Sequence, residues 1–461
     1  MRYISTRGQA PVLSFEEAML TGLARDGGLY VPESWPRMSA DEIAALAGST
    51  FEETAFRVMR PFIGNAFDDE TFRGIIERAY AGFGHAARCP LVQSGSNDFV
   101  LELHHGPTLA FKDVAMQLIG QMFEASLSRA GREVTIVGAT SGDTGSAAIE
   151  AFRGNAAARV FILYPHGRVS EVQRRQMTTP VEENVHAVAV DGDFDDCQAL
   201  VKAMFNDHAF RDRVGLAAVN SINWARVLAQ AVYFFTAAVS LGAPHRKVSF
   251  TVPTGNFGDI FAGYVAKRMG LPVDRLVIAT NRNDILHRTL QSGAHRKEGV
   301  AATISPSMDI QVSSNFERLL FDLYDREGDA IRQLMDELGQ GGFSLSQGAL
   351  DRLRAEFDSG RADEEETLAE IRRHFAETGV LQCPHTAVGL KAARDARGDA
   401  SVPMVTLATA HPAKFPDAVE KATGIRPALP ERMADLYERD ERITRIANSL
   451  DAIEALIEGR A

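Results

Sequence analysis

Cysteine is scarce in this chain: three thiols in 461 residues, Cys89, Cys197 and Cys383, far apart and with no CxxC pair. That spacing offers neither a zinc site nor a disulfide framework, and it suits a reducing cytosol. Long apolar runs are missing as well; none approaches the ~20 residues that a membrane span requires. The opening MRYISTRGQAPVLSFEEAML has no apolar core behind its positive residues, so no secretory signal is expected. Positive charge is in deficit, with a net charge of −12, which argues against a nucleic-acid footprint or a polybasic membrane surface. A local pocket for an anionic small molecule remains compatible with that balance. What is present is ordinary globular composition, 45% apolar and 24% charged. The length suits about two or three domains. The expectation is a cytoplasmic protein with a small-molecule partner and neither nucleic acid nor membrane.

Residues 1–85 read as a helical segment. Ser14 can cap a helix over Phe15–Arg25, and Asp41–Ala47, Thr50–Met59 and Asp68–Ala81 carry apolar residues at helical spacing. Past Cys89-Pro90 the pattern changes to alternating strands and helices. Glu133–Thr140 ends in SGDTG, followed by a small-residue helix; Val160–Pro165, Val185–Asp191, Val248–Pro253 and Leu276–Thr280 are further buried strands. Strand, loop and helix in repetition imply a mostly parallel sheet covered on both faces, with ligands beyond the carboxyl ends of the strands. The core is expected over 86–320 and 381–425, where Val402–Ala408 returns as a strand. Residues 321–380, with acidic clusters ahead of helices at about 329–338 and 366–377, read as a helical insertion, and 426–461 as a helical tail.

Chemistry concentrates at a few places. In ELHHGPTLAFKDVAM, Lys112 stands among apolar neighbours with only Asp113 charged beside it. Apolar surroundings depress a lysine pKa, and a neutral amine is what Schiff-base chemistry needs. The competing reading is a helix-start lysine whose stem packs while its head reaches water. Thr254–Asp259, TGNFGD, puts two glycines between strand and helix, where backbone N–H groups converge on an anion. It lacks the spacings of nucleotide loops, so a monophosphate fits better than ATP or NAD, unless it is an ordinary turn. Thr140–Gly145 has the same placement; Ser141 and Thr144 can hold a carboxylate, whereas Asp143 and Thr144 can equally cap the next helix. Asn223 and Arg226 head a long apolar helix, and the arginine offers a bidentate fork for phosphate or carboxylate, or else an ordinary ion pair. Thr409 follows the late strand. His104 and His105, just upstream of Lys112, are either assisting groups or satisfied structural ones.

An amine, a monophosphate cradle and a carboxylate loop on one sheet edge describe pyridoxal phosphate holding an amino acid. The whole chain resembles the threonine synthase family, in the longer form found in bacteria and fungi. The resemblance is carried in order by YISTRG, LARDGGLYVPE, HHGPTLAFKD, GATSGDTGSAA, NSINWAR, PTGNFGD and TAHPAKF. It implies an α/β architecture of pyridoxal-phosphate fold type II, tryptophan synthase β-like, with two open, mostly parallel sheets. It also implies conversion of O-phospho-L-homoserine and water to L-threonine and phosphate. By the same resemblance Lys112 would carry the cofactor aldehyde. Gly255, Asn256, Phe257, Gly258 and Asp259 would hold its phosphate, and Thr409 would bond its ring nitrogen. Ser141 and Thr144 would take the substrate carboxylate. Asp143 stands where related enzymes have an asparagine near the cofactor's 3′ oxygen. Asn223 and Arg226 are candidates for the substrate phosphate. The rival readings are a pyridoxal lyase or dehydratase of unphosphorylated hydroxy amino acids, and a non-catalytic descendant that binds phosphorylated ligands.

Overall fold

Val248–Pro253 is buried at every position and lies inside the larger of two main sheets, as an unbroken apolar strand between parallel neighbours must. The structure is a computed structural model and describes residues 1–217 and 219–460. The larger sheet runs in the order Phe357–Arg361, Val273–Thr280, Val248–Pro253, Met404–Ala408, Asp98–Glu102 and Leu91–Gln93. Its first five strands are parallel, and Leu91–Gln93 closes the edge as an antiparallel partner of Asp98–Glu102. The smaller sheet is parallel throughout, in the order Thr444–Ala447, Val185–Asp191, Ala158–Pro165, Val134–Ala139 and Leu216–Ala217. Helix Trp224–Ser240, apolar nearly all round and buried along most of its length, packs on helices Phe51–Ile63, Lys112–Ala130 and Gly258–Arg268. The α/β fold with two open, mostly parallel sheets is as expected.

Local chemistry sets the helix ends. Ser14 and Glu17 form a reciprocal capping box, and Thr50 and Asp68 cap helices Phe51–Ile63 and Asp69–Tyr80. The first helix stops at Thr21 rather than Arg25, ended by Gly22 at φ 69°.

Three regions depart from expectation. The 321–380 region is not wholly helical: Phe357–Arg361 adds a strand to the larger sheet, parallel to Leu276–Thr280. That strand is short and mostly polar. Gly360 admits helix Pro384–Asp395 against it, since a Cβ there would lie 2.7 Å from the Ala392 Cβ. The 426–461 tail likewise includes a strand, Thr444–Ala447, before helix Leu450–Glu458 covers the smaller sheet with Ile453 and Ile457. The N-terminal segment also holds an antiparallel pair, Tyr3–Ser5 with Tyr30–Pro32.

The N-terminal segment is fastened to the rest by buried and half-buried polar groups. Arg7 pairs with Glu317 through two bonds of 3.1 Å, and Trp35 Nε1 donates to Asp322 at 2.8 Å. Arg318, 0% exposed, donates to the Tyr30 carbonyl at 3.0 Å, the Ile222 carbonyl at 2.5 Å and the Asn315 side chain. Burial pushes its guanidinium down to about 9. Arg318→Ala strands these acceptors in the interior, so a loss of about 3 kcal/mol or more is expected. A thermal melt reads this, and a variant melting with the parent would show that those bonds contribute nothing net.

Candidate active site

Lys112 opens helix Lys112–Ala130 directly after an isolated bridge between Ala110 and Ala410. Two bonds make that bridge, Phe111 N–H to the Thr409 carbonyl at 2.8 Å and His411 N–H to the Leu109 carbonyl at 3.0 Å. Residues about 300 apart in sequence, Lys112 and Thr409, are thereby held on adjoining backbone at the carboxyl end of strand Met404–Ala408. Leu109 takes a left-handed φ of 64° to make the turn. Asp113, next to the lysine, faces away from it. It accepts from the Thr108 N–H at 2.8 Å and hydroxyl at 2.6 Å, and burial pushes its carboxyl up to about 6.

The SGDTG turn supplies the facing group. Asp143 starts helix Asp143–Phe152, where the helix dipole favours an anion. Its Oδ2 lies 3.4 Å from Lys112 Nζ and its Oδ1 2.7 Å from Lys414 Nζ. Gln173 Nε2 donates to Oδ1 at 2.9 Å, and the Ser307 hydroxyl to Oδ2 at 3.2 Å. Burial acts to raise the Asp143 carboxyl, but Lys414 and Lys112 outweigh it and hold the group well below the usual carboxylate range. The Lys112 side chain is 12% exposed. Burial lowers its pKa first, Asp143 opposes, and Lys414 and Arg226 push it down further. Ser141 and Thr144 flank Asp143, both half-buried.

The TGNFGD loop joins this centre through Ser307. A Cβ on Gly255 would lie 2.6 Å from the Ser307 carbonyl oxygen, so only glycine lets the loop approach. Phe257 sits at φ 63° and leads into helix Gly258–Arg268 with no side-chain cap, while the Ile260 N–H donates to Asp259 Oδ1 at 2.8 Å. Asn256 is exposed at the turn, and its carbonyl accepts from Asn315 at 3.0 Å. Asp259 is 5% exposed; burial raises its carboxyl to about 7.

Arg226 and Asn223 have different fates. Arg226 is 3% exposed, and its Nε and Nη1 have no partner among the described residues. Burial alone pushes it down to about 10. Asn223 is instead a correction. Its Oδ1 caps helix Trp224–Ser240 by accepting from Ala225 N–H at 3.0 Å, and its Nδ2 donates to the Met19 carbonyl at 2.7 Å. With 0% exposure it is a structural cap rather than a ligand-facing group. His104 and His105 do not touch Lys112: burial pushes His104 down to about 3, and His105 Nε2 lies 2.7 Å from Glu102. Sequence reasoning missed Lys414, Gln173 and Ser307, and also His385, whose Nε2 accepts from the Ser307 N–H at 3.2 Å.

Two mostly parallel sheets, with a buried lysine, a glycine loop and a hydroxyl turn at their carboxyl edges, define the fold type II class of pyridoxal-phosphate enzymes. Residues 88–337 match the family described as pyridoxal-phosphate dependent enzyme, 2–80 the threonine synthase N terminus and 386–457 the threonine synthase C-terminal family. The chain is 55% identical over 459 residues to a threonine synthase from Pseudomonas aeruginosa, covering 99% of this chain and 98% of that one. The solved structure of PLP-bound threonine synthase from Brucella melitensis is 57% identical with a TM-score of 0.98, covering 100% of this chain and 99% of that one. Yeast threonine synthase is 41% identical with a TM-score of 0.95, covering 100% and 98%. The chain belongs to the threonine synthase family: it is a pyridoxal-phosphate-dependent lyase acting on a small molecule. No helix among the described residues is long and apolar enough to cross a membrane.

The residues present fit that cofactor. Lys112 and Lys414 share one firmly ionised carboxylate, Asp143, and Arg226 adds a further buried guanidinium on the Lys112 side. Such an excess of positive charge calls for anionic ligands.

Proposed function

We propose that this chain converts O-phospho-L-homoserine and water to L-threonine and phosphate, with Lys112 as the amine that carries the cofactor. The observation that carries the reading is Arg226, a buried guanidinium whose Nε and Nη1 have no partner among the described residues and which lies close enough to depress Lys112. With the cofactor monophosphate at the glycine loop and the substrate carboxylate at Ser141 and Thr144, that arginine is left for a further anion, which an unphosphorylated substrate lacks. Gly255, Asn256, Phe257 and Gly258 would hold the cofactor phosphate by backbone N–H groups. Asp259, biased toward its neutral form by burial, repels that phosphate little. Thr409 would meet the ring nitrogen, and Ser141 and Thr144 the substrate carboxylate. Asp143 would face the 3′ oxygen side.

The cofactor supplies an electron sink for negative charge developing at the substrate carbons. Lys112, as the amine that would carry the cofactor, would also take the proton from Cα; in neutral form it has the lone pair to do so. Arg226 stabilises the growing charge on the phosphate that leaves Cγ, a contribution larger in the transition state than in the bound substrate. Ser141 and Thr144 fix the carboxylate, so the Cα–H bond stays aligned with the lysine. The three thiols are unpaired and buried, which suits a cytosolic setting.

A side-by-side assay tests the substrate assignment. Phosphate and threonine are expected from O-phospho-L-homoserine, with serine and threonine turned over at least about 10²-fold less well, as for a site built around a missing charged group. Comparable conversion of serine or threonine to oxo acids would replace this reading with the dehydratase alternative.

A further inference from the structure

A buried carboxylate beside a lysine ordinarily works against that lysine as a nucleophile. It stabilises the ammonium, and the free amine disappears. Asp143 is such a neighbour for Lys112, yet a second lysine sits closer to the same group. Lys414 Nζ is 2.7 Å from Asp143 Oδ1, against 3.4 Å between Lys112 Nζ and Oδ2. Lys414 is 0% exposed, whereas the Lys112 side chain retains 12%. The Lys414 ammonium also donates to the Thr108 carbonyl at 2.8 Å. One carboxylate cannot neutralise two ammonium groups. In a medium that screens poorly, the shorter and fully enclosed contact takes most of its charge.

We propose that Lys414 is a positioning residue of the reaction: by engaging Asp143 it leaves Lys112 the weaker-paired amine, free to capture and release the cofactor aldehyde. The inference rests on the reading of Lys112 as the cofactor-bearing amine. Lys414 acts in two ways with the same sign, by saturating Asp143 and by placing a second positive charge near Lys112. Gln173 and Ser307, each donating to one oxygen of Asp143, fix the carboxylate between the two lysines.

The other charged groups do not take over this role. Arg226, from helix Trp224–Ser240, adds positive charge on the Lys112 side. Asp259 faces Lys112 from helix Gly258–Arg268, with its carboxyl pushed up to about 7 by burial. Asp113 faces Lys414, but Thr108 holds both of its oxygens and burial pushes it to about 6. His385, from helix Pro384–Asp395, faces Asp143 and both lysines, and His411 faces Lys414. Burial pushes each down to about 4, so both are neutral at neutral pH. Of the three carboxyls, Asp143 alone is held well below its ordinary range.

The test measures Lys112 itself in the full-length chain stripped of cofactor. Trace acetylation with acetic anhydride, read by mass spectrometry across pH, follows its neutral fraction. In Lys414→Gln the labelling of Lys112 at neutral pH is expected to fall about tenfold, while Lys414→Arg keeps the parent profile. Adding Asp143→Asn to Lys414→Gln is expected to restore labelling, because the unbalanced anion is gone. A Lys112 profile that ignores Lys414→Gln, or a restoration that fails, would overturn the proposal and leave Lys414 as a bracket between two turns. Should Lys414→Gln not fold, Lys414→Met decides by the same labelling, with a fall expected and an unchanged Lys112 profile overturning the proposal. In the loaded enzyme, the acid limb of the kcat profile should move to higher pH in Lys414→Gln and not in Lys414→Arg; an unmoved limb counts against it. Protection of Lys112 from acetylation by added pyridoxal phosphate checks the underlying assignment separately. Its absence would sink Lys112 as the carrier without touching the pH shifts.

Discussion

Lys112→Ala is expected to abolish phosphate release from O-phospho-L-homoserine, by about 10³-fold or more, while the chain stays folded. The two halves of that expectation have separate causes. Activity goes because no other amine can substitute: Lys414, nearest to Asp143, is fully enclosed and held by Asp143 and the Thr108 carbonyl. Folding survives because Asp143, which would otherwise be a stranded buried anion, keeps Lys414 and Gln173. The helix that Lys112 begins is anchored elsewhere, through Val114, Met116 and Ile119 in the main core. Phosphate assay and a thermal melt read both halves together. Parental turnover in the variant would remove Lys112 from the chemistry; a collapsed melt would make it a structural residue.

The sequence makes the frame legible where physical demand and residue type coincide. Val248–Pro253 reads as a buried strand because a parallel strand covered on both faces must be apolar throughout. The strand Phe357–Arg361 is illegible for the opposite reason: its place depends on what Gly360 admits from Ala392, a contact that no local pattern encodes. Thr444–Ala447 pairs with Val188–Asp191, more than two hundred residues away, and its four residues, none of them fully buried, are too short and too exposed a run to announce a sheet. The site divides in the same way. Lys112, the glycine loop and the SGDTG turn stand out because each combines a reactive or anion-binding residue type with a strand end. Lys414 does not, because a lysine following a proline turn is ordinary until Asp143 is seen 2.7 Å from it. Asn223 was open to misreading since an asparagine at a helix start serves equally as a ligand donor and as a cap. Only its bonds to Ala225 and Met19 decide.

Arg226 supplies the second large expected effect, and its two signs are opposite. A guanidinium at 3% exposure with Nε and Nη1 unpartnered among the described residues costs free energy in the ligand-free fold. Arg226→Met keeps the apolar volume and removes that uncompensated charge, so the ligand-free variant is expected to melt higher than the parent. The same substitution removes charge-assisted bonds to phosphate worth about 3 kcal/mol together. Binding of O-phospho-L-homoserine should therefore weaken by roughly 10²-fold, with an analogue lacking the phosphate affected by no more than a few-fold. A stabilised protein that has lost its hold on one substrate group is the signature of a residue kept for its ligand rather than for the fold. Melting curves with and without ligand, together with binding constants for the two compounds, separate the cases. A lower melting point with equal losses for both would make Arg226 part of the frame, and the phosphate of the substrate would need another partner.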